Sequence, residues 1–167
     1  SLMSADLDGK RQDILIEAVP QAQRIAVLVD SNVATLQHLK ALEDSAKGHS
    51  KELLIIRVAN RTDLEPAIKN ASAQGAHALN VLASPMLFLN RQTIIERTVE
   101  LKLPAIFQWP EMAEDGGLLG YGPSFLEFFA NERPWSPKFF AVQSPAICQS
   151  SSQALSNWRS ISRPPRR

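Results

Sequence analysis

Between Arg24 and Asp30 the run Ile25-Ala26-Val27-Leu28-Val29 is apolar throughout, without alternation. A strand covered on one face alternates apolar and polar residues, so an unbroken apolar run marks a strand covered on both. Such strands belong to parallel sheets sandwiched by helices. Four further segments read as strands: Leu53 to Val58, Ala78 to Ala83, Pro104 to Phe107 and Leu118 to Tyr121. The spacing predicts helices around them. One runs from about Asp8 to Ala18, with Ile14, Leu15 and Ala18 on one face and Pro20 closing it. A second, about Val33 to Lys47, turns Leu36, Leu39 and Leu42 inward and ends at Gly48. A third opens on a Thr62/Glu65 capping box with Pro66 in its first turn and stops at Gly75. A fourth spans about Leu87 to Leu101, and Glu111 to Glu114 forms a helical turn. Strands alternating with helices at this spacing imply right-handed βαβ units. The expected fold is a three-layer, doubly wound α/β domain with a mostly parallel sheet of about five strands.

At 167 residues the chain is long enough for one domain whose core needs no staple. A single cysteine, Cys148, excludes an internal disulfide framework and a Cys-cluster zinc site. No apolar run reaches the length of about 18 residues that a membrane-spanning helix needs. The opening Ser1-Leu2-Met3 lacks a basic region followed by an apolar stretch, so it reads as a cloning remnant rather than a signal peptide. A net charge of +1 argues against a dedicated nucleic-acid binder.

That average hides a break near residue 129. Of 18 Lys/Arg and 17 Asp/Glu, six and one fall in residues 130–167, leaving the body at −4 and the tail at +5. The tail also holds five of the eleven prolines, Trp135, Trp158, Cys148 and none of the seven glycines. It has no sustained helical or alternating period. The expected organisation is therefore an α/β body over 1–129 and an atypical Pro/Ser/Arg-rich tail over 130–167.

In doubly wound sheets ligands bind outside the carboxyl ends of the strands, where the strand order reverses. Those ends carry Asp30-Ser31-Asn32, Val58-Ala59-Asn60, Ala83-Ser84-Pro85 and Phe107-Gln108-Trp109. No glycine follows the first strand, so no phosphate-cradling loop is present, and Gly120-Tyr121-Gly122 is too short to stand for a dinucleotide fingerprint. There is no Gly-x-Ser-x-Gly elbow. His38, His49 and His77 have no carboxylate nearby in sequence and read as solvated positions. Asp30 stands without neighbouring acids and reads as a turn or cap residue. No catalytic constellation, metal site or cofactor is expected, and the chain does not read as an enzyme. Ser31, Asn32, Ser84 and Gln108 offer hydrogen bonds, and Trp109 a flat apolar face, which together suit reversible capture of a small polar or aromatic molecule. The structural alternatives are that Ser31 or Asn32 caps a helix, that Ser84 starts one, and that Trp109 covers the edge of the core.

Over about Gly9 to Phe128 the body resembles the ABC-transporter substrate-binding proteins of the group that includes tryptophan- and tyrosine-type binders. The resemblance is carried by Gly9-Lys10-Arg11 leading into Ile16-Glu17-Ala18-Val19-Pro20, by Arg24 to Leu28, by Leu103-Pro104-Ala105-Ile106, and most specifically by Gly116-Gly117-Leu118-Leu119-Gly120-Tyr121-Gly122-Pro123. It implies one lobe, the second, of a bilobal type I periplasmic-binding-protein-like fold that traps a ligand between two α/β lobes. It further implies an amino-acid ligand, aromatic at the level of the family, an ABC permease as partner, and a periplasmic or lipid-anchored extracytoplasmic location for the intact protein. The loops at Asp30-Ser31-Asn32, Ser84-Pro85 and Gln108-Trp109 would face the cleft, and Tyr121 would lie where the chain crosses back to the first lobe. A lone lobe buries its ligand on one side only, so weak binding is expected, with a homodimer through the exposed lobe surface as one consequence.

The family continues past the Gly-Pro motif with a basic helix, a strand and an Asn-Leu-Lys-Thr-Ala helix, and this chain does not. Permitted codons for 149–165, read in a shifted frame, allow Val-Glu-Gln-Pro-Ser-Ala-Phe-Glu-Leu-Ala-Ile-Asn-Leu-Lys-Thr-Ala. The same shift over 135–142 allows Met-Val-Ala-Lys-Ile-Leu-Arg-Gly. The expectation is that the chain from about Phe129 is translated out of frame. A basic tail binding nucleic acid or membrane is disfavoured because its arginines are few and share no face. Two other classes use related folds: the ligand-sensing domain of a transcription regulator, and a flavodoxin-like nucleotide module, which the missing Gly-rich loop disfavours.

Overall fold

The computed structural model describes residues 5–122 and 138–141. Five strands, β1 (Arg24–Asp30), β2 (Glu52–Val58), β3 (Ala78–Val81), β4 (Ala105–Phe107) and β5 (Leu119–Gly122), are parallel, and β6 (Lys138–Ala141) is antiparallel to β5. The order across the sheet is β2-β1-β3-β4-β5-β6. The first strand is therefore an interior one, and the chain winds to one side for β2 and to the other for β3. The carboxyl ends of β1 and β3 form the topological switch point.

Helices cover both faces. On one, α1 (Ala5–Ala18) and α2 (Leu36–Gly48) pack Leu15, Ile16, Leu39 and Leu42 against Ile25, Val27, Val29 and Ile106. On the other, α3 (Leu64–Ala73), α4 (Pro85–Leu89) and α5 (Arg91–Glu100) pack Leu64, Ile68, Leu87 and Ile94 against Ala26, Leu28, Leu79 and Phe107. The short α6 (Pro110–Glu114) adds Met112 to that second core. The expected three-layer α/β architecture is present, and every residue of β1 after Arg24 is buried, as its unbroken apolarity requires.

Four local expectations are corrected. The second helix starts at Leu36 rather than Val33, because Asn32 is turned away into another bond network; its N-cap is Thr35, and Leu36 is 84% exposed instead of inward. The capping box before α3 is Asn60/Asp63, not Thr62/Glu65: Asn60 Oδ1 accepts from Thr62 N at 3.0 Å, and Asp63 Oδ2 accepts from Asn60 N at 3.3 Å across a single 3-10 turn. The expected helix over 87–101 is two helices, α4 and α5, parted at Asn90, whose side-chain amide donates to the Met86 carbonyl. Finally, β6 was not expected from the sequence. It falls in the segment read as an aperiodic tail, and it covers the edge of β5.

The Gly116-to-Gly122 motif has a packing cause. A Cβ on Gly117 would lie 2.4 Å from the Phe107 ring, and one on Gly122 would lie 2.1 Å from the Gln108 carbonyl oxygen. Only hydrogen fits where β5 passes the carboxyl end of β4.

Candidate functional site

The switch point is tied together by side chains. Asp30, the last residue of β1, is 4% exposed. Its Oδ1 accepts from the Asn32 backbone N–H at 2.9 Å and from Asn32 Nδ2 at 3.0 Å, and its Oδ2 accepts from the Ser84 hydroxyl. Ser84 Oγ in turn accepts from the backbone N–H groups of Met86 and Leu87 and so caps α4. Asn32 Nδ2 also donates to the Ala59 carbonyl at 3.1 Å, linking the exit loops of β1 and β2. Three exit loops are thus locked into one platform by a single buried carboxylate. Asp30, read from sequence as a plain turn or cap residue, is its hub; a lone acid at a strand end carries no sequence mark of that role. Ser84 is at once a helix cap and a site-forming group.

All six candidate ligand residues lie towards the carboxyl edge of the sheet, but they differ in what they expose. Ser31 and Asn32 are exposed, whereas Ser84, Gln108, Trp109 and Tyr121 are buried. Trp109 sits in the core on the α3–α5 face, edge-on to Phe88 with ring centroids 6.1 Å apart, and Arg91 lies 4.7 Å over the Phe88 ring. Tyr121 sits in the core on the α1 face, with Lys10 Nζ 5.6 Å from its ring centroid. Gln108 is buried, and its Oε1 atom has no partner among the described residues. The structure therefore brings Ser31, Asn32 and Ser84 together around Asp30, and puts Trp109 and Tyr121 in cores on opposite faces of the sheet. Beside the three stand the exposed residues Asn60, Arg61 and Thr62 from the exit loop of β2; sequence reasoning placed Asn60 at a strand end and Thr62 in a capping box but offered none of the three as a ligand group. Leu36 and Leu89, 84% and 76% exposed, stand at the helix ends on either side.

The histidines fall elsewhere. His38 Nδ1 lies 3.3 Å from Asp8 Oδ2 and His49 Nε2 lies 3.3 Å from Asp13 Oδ1, so both have carboxylates that sequence distance concealed. His77 Nδ1 accepts from the Arg24 backbone N–H. Asp8 also pairs with Arg11, and both are buried between α1 and its neighbours. Burial raises the Asp8 carboxyl pKa against the pull of Arg11 and His38, and burial lowers that of Arg11 against the pull of Asp8. Arg11 keeps two nitrogens, Nε and Nη1, without hydrogen-bond partners among the described residues. At the opposite, amino-terminal edge of the sheet, a cavity of about 440 Å³ is lined by Gln23, Arg24, Ser50, Glu52, Gly75 and His77. Its Arg24 is already bonded to Glu52 and to the Gln74 carbonyl. No group of three or more His, Cys, Asp or Glu able to hold a metal occurs among the described residues. Nor is any described helix long and apolar enough to cross a membrane. Cys148, Trp135, Trp158 and the basic chain end lie outside the described residues.

No protein-family model matches the chain, and no curated protein does. Solved structures do share its fold. A conserved domain protein from Vibrio cholerae superposes with a TM-score of 0.69 at 11% identity, over 89% of this chain and 58% of that one. An ABC domain from Streptococcus pneumonia in complex with L-Trp gives 0.64 at 12% identity, over 89% and 59%. A LacI-family transcription repressor from Corynebacterium glutamicum gives 0.52 at 16% identity, over 80% and 62%. The chain thus spans less than two thirds of each of these neighbours, and its fold is that of a single lobe of a periplasmic-binding-protein-like structure.

Proposed function

We propose that this chain is one wall of a small-molecule cleft: the second lobe of an ABC-importer substrate-binding protein, facing its ligand with the exit loops of β1, β2 and β3. The reading is carried by the Asp30–Asn32–Ser84 tie. It makes the switch point rigid and leaves hydroxyl and amide groups at its rim, which is how a site for reversible capture is built. The ligand is a small polar molecule, an amino acid first among them; the L-Trp held by the Streptococcus pneumonia neighbour makes tryptophan the first compound to try. The intact protein works outside the cytoplasm with an ABC permease, uses no cofactor and catalyses nothing. The exposed Leu36 and Leu89 offer a second copy an apolar hold on the uncovered wall. The segment 130–167 is proposed to be out-of-frame translation, which sequencing of the gene settles.

Burying 70–90% of a ligand takes two walls, so one wall binds weakly. In an amide-resolved NMR titration with L-tryptophan, shifts are expected at residues 31–34, 59–62 and 84–87, saturating only in the millimolar range. Shifts confined to the cavity around Arg24 and His77, or a tight complex by calorimetry, would overturn the reading. A second reading, the ligand-sensing domain of a transcription regulator, is favoured by the LacI-family neighbour. Neighbouring genes separate the two: a permease and an ATPase support the importer, and an upstream DNA-binding segment in the same gene supports the regulator.

A further inference from the structure

The charges at the proposed site are unequally committed. The β1 and β2 exit loops carry two acids, Asp30 and Asp63. Asp30 is buried with both oxygens occupied, and Asp63 Oδ2 accepts from the Ala59 and Asn60 backbone N–H groups at 3.1 and 3.3 Å. Asp30 is withdrawn from an arriving molecule, and one oxygen of Asp63 is held by the backbone of its own loop. Two cations close by are free. Arg61, in the 3-10 turn after β2, and Arg57, next to the last residue of β2, are exposed, and neither guanidinium has a hydrogen bond or ion pair among the described residues. The Asn32–Ala59 bond holds the loop leading to Arg61 against the β1 exit loop. A guanidinium donates two parallel hydrogen bonds to a carboxylate, and a neutral carboxamide cannot match either the charge or both acceptors.

We propose that the site selects carboxylate-bearing ligands and that Arg61 is the specificity-determining residue, receiving the carboxylate on the β1–β2 side of the switch point, with Arg57 adding to the positive field. This rests on the reading of the carboxyl edge as the ligand site and adds the chemical class and the orientation of the ligand. The test compares L-tryptophan with L-tryptophanamide in amide-resolved NMR titrations of the full chain. L-tryptophan is expected to shift the amides of 31–33 and 59–62, and the carboxamide to shift them roughly tenfold less at equal concentration, the scale of one charge-assisted hydrogen bond. Arg61→Gln, an exposed substitution whose fold is checked by its unchanged core amides, should abolish the difference between the two compounds. Arg57→Gln should reduce it in part. Equal shifts from both compounds, or wild-type discrimination in Arg61→Gln, overturn the carboxylate assignment and leave the site standing. Absence of any shift at these loops, with either compound, overturns the site itself.

Discussion

Ser84 performs three bonds with one hydroxyl, and its loss should be felt in stability before function. Ser84→Ala removes the cap of α4 and leaves Asp30 Oδ2 without its donor; about 2 kcal/mol of destabilisation is expected in urea unfolding, the sum of a lost cap and an unpaired buried acceptor. Asp8 and Arg11 make a sharper case. Removing Asp8 strands a buried guanidinium that already has two unpartnered nitrogens, so Asp8→Ala should cost about 3–5 kcal/mol, while Asp8→Leu with Arg11→Met should recover most of it. The pH dependence has a defined sign. Burial raises the folded Asp8 pKa above its unfolded value, so the folded state holds the proton more tightly. That contribution is present below the unfolded pKa and is lost as pH rises through the folded one. Unfolding measured from acid towards neutral pH should therefore show the wild type losing stability relative to Asp8→Asn across that window. A flat difference between the two would refute the shift.

At the scale of elements, the junction of β4 and β5 is the least forgiving. Gly122→Ala must place a methyl group 2.1 Å from the Gln108 carbonyl oxygen, closer than any relaxation of a strand end accommodates. The expected outcome is loss of the cooperative unfolding transition or of soluble protein, whereas Gly48→Ala, at a position with open space, should be neutral within about 0.5 kcal/mol. The outer strand β6 is different in kind. It pairs with β5 over four residues at the sheet edge, and the core residues identified among those whose burial is described all precede it. A chain ending at residue 129 should keep a cooperative thermal transition and lose about 2 kcal/mol, the worth of a short edge ladder. Failure of that chain to fold would show that the segment after 129 is integral to the lobe.

For the molecule as a whole, the doubly wound order puts the exit loops of β1 to β4 on one edge, so the proposed binding wall is a consequence of connectivity rather than of any one residue. A wall of this kind has no enclosed volume of its own. In bilobal binding proteins, closure around a hinge couples occupancy to shape. The single wall proposed here would offer contacts without that closure. Weak, fast-exchanging binding at the carboxyl edge is the expected solution behaviour, and Leu36 and Leu89 are where self-association should start. Light scattering at rising concentration reads this directly: Leu36→Lys with Leu89→Lys should remove any dimer that the wild type forms.

How much of this was legible in the chain depends on the range of the physics involved. The apolar run of β1, the βαβ alternation and the shared edge of the β1, β3 and β4 exit loops follow from local periodicity and chain connectivity, which any reader of the sequence can count. Even Ser84 as a helix start was visible, because a cap acts over three residues. The hub role of Asp30 was not, since its partner Ser84 lies 54 residues away and nothing local distinguishes a buried carboxylate from a turn residue. The same holds for His38 with Asp8 and for the burial of Trp109 and Tyr121 on opposite faces. Leu36 erred the other way: its helical spacing matched Leu39 and Leu42, but the Asp30–Asn32–Ala59 network holds the preceding loop and delays the start of α2. Sequence by itself determined the layers and the order of elements, because hydrogen-bonded periodicity and short connections are local. Only the tertiary structure decided which polar groups are spent on holding that edge together and which remain free to meet a ligand, because that allocation depends on side chains that fold together from distant parts of the chain.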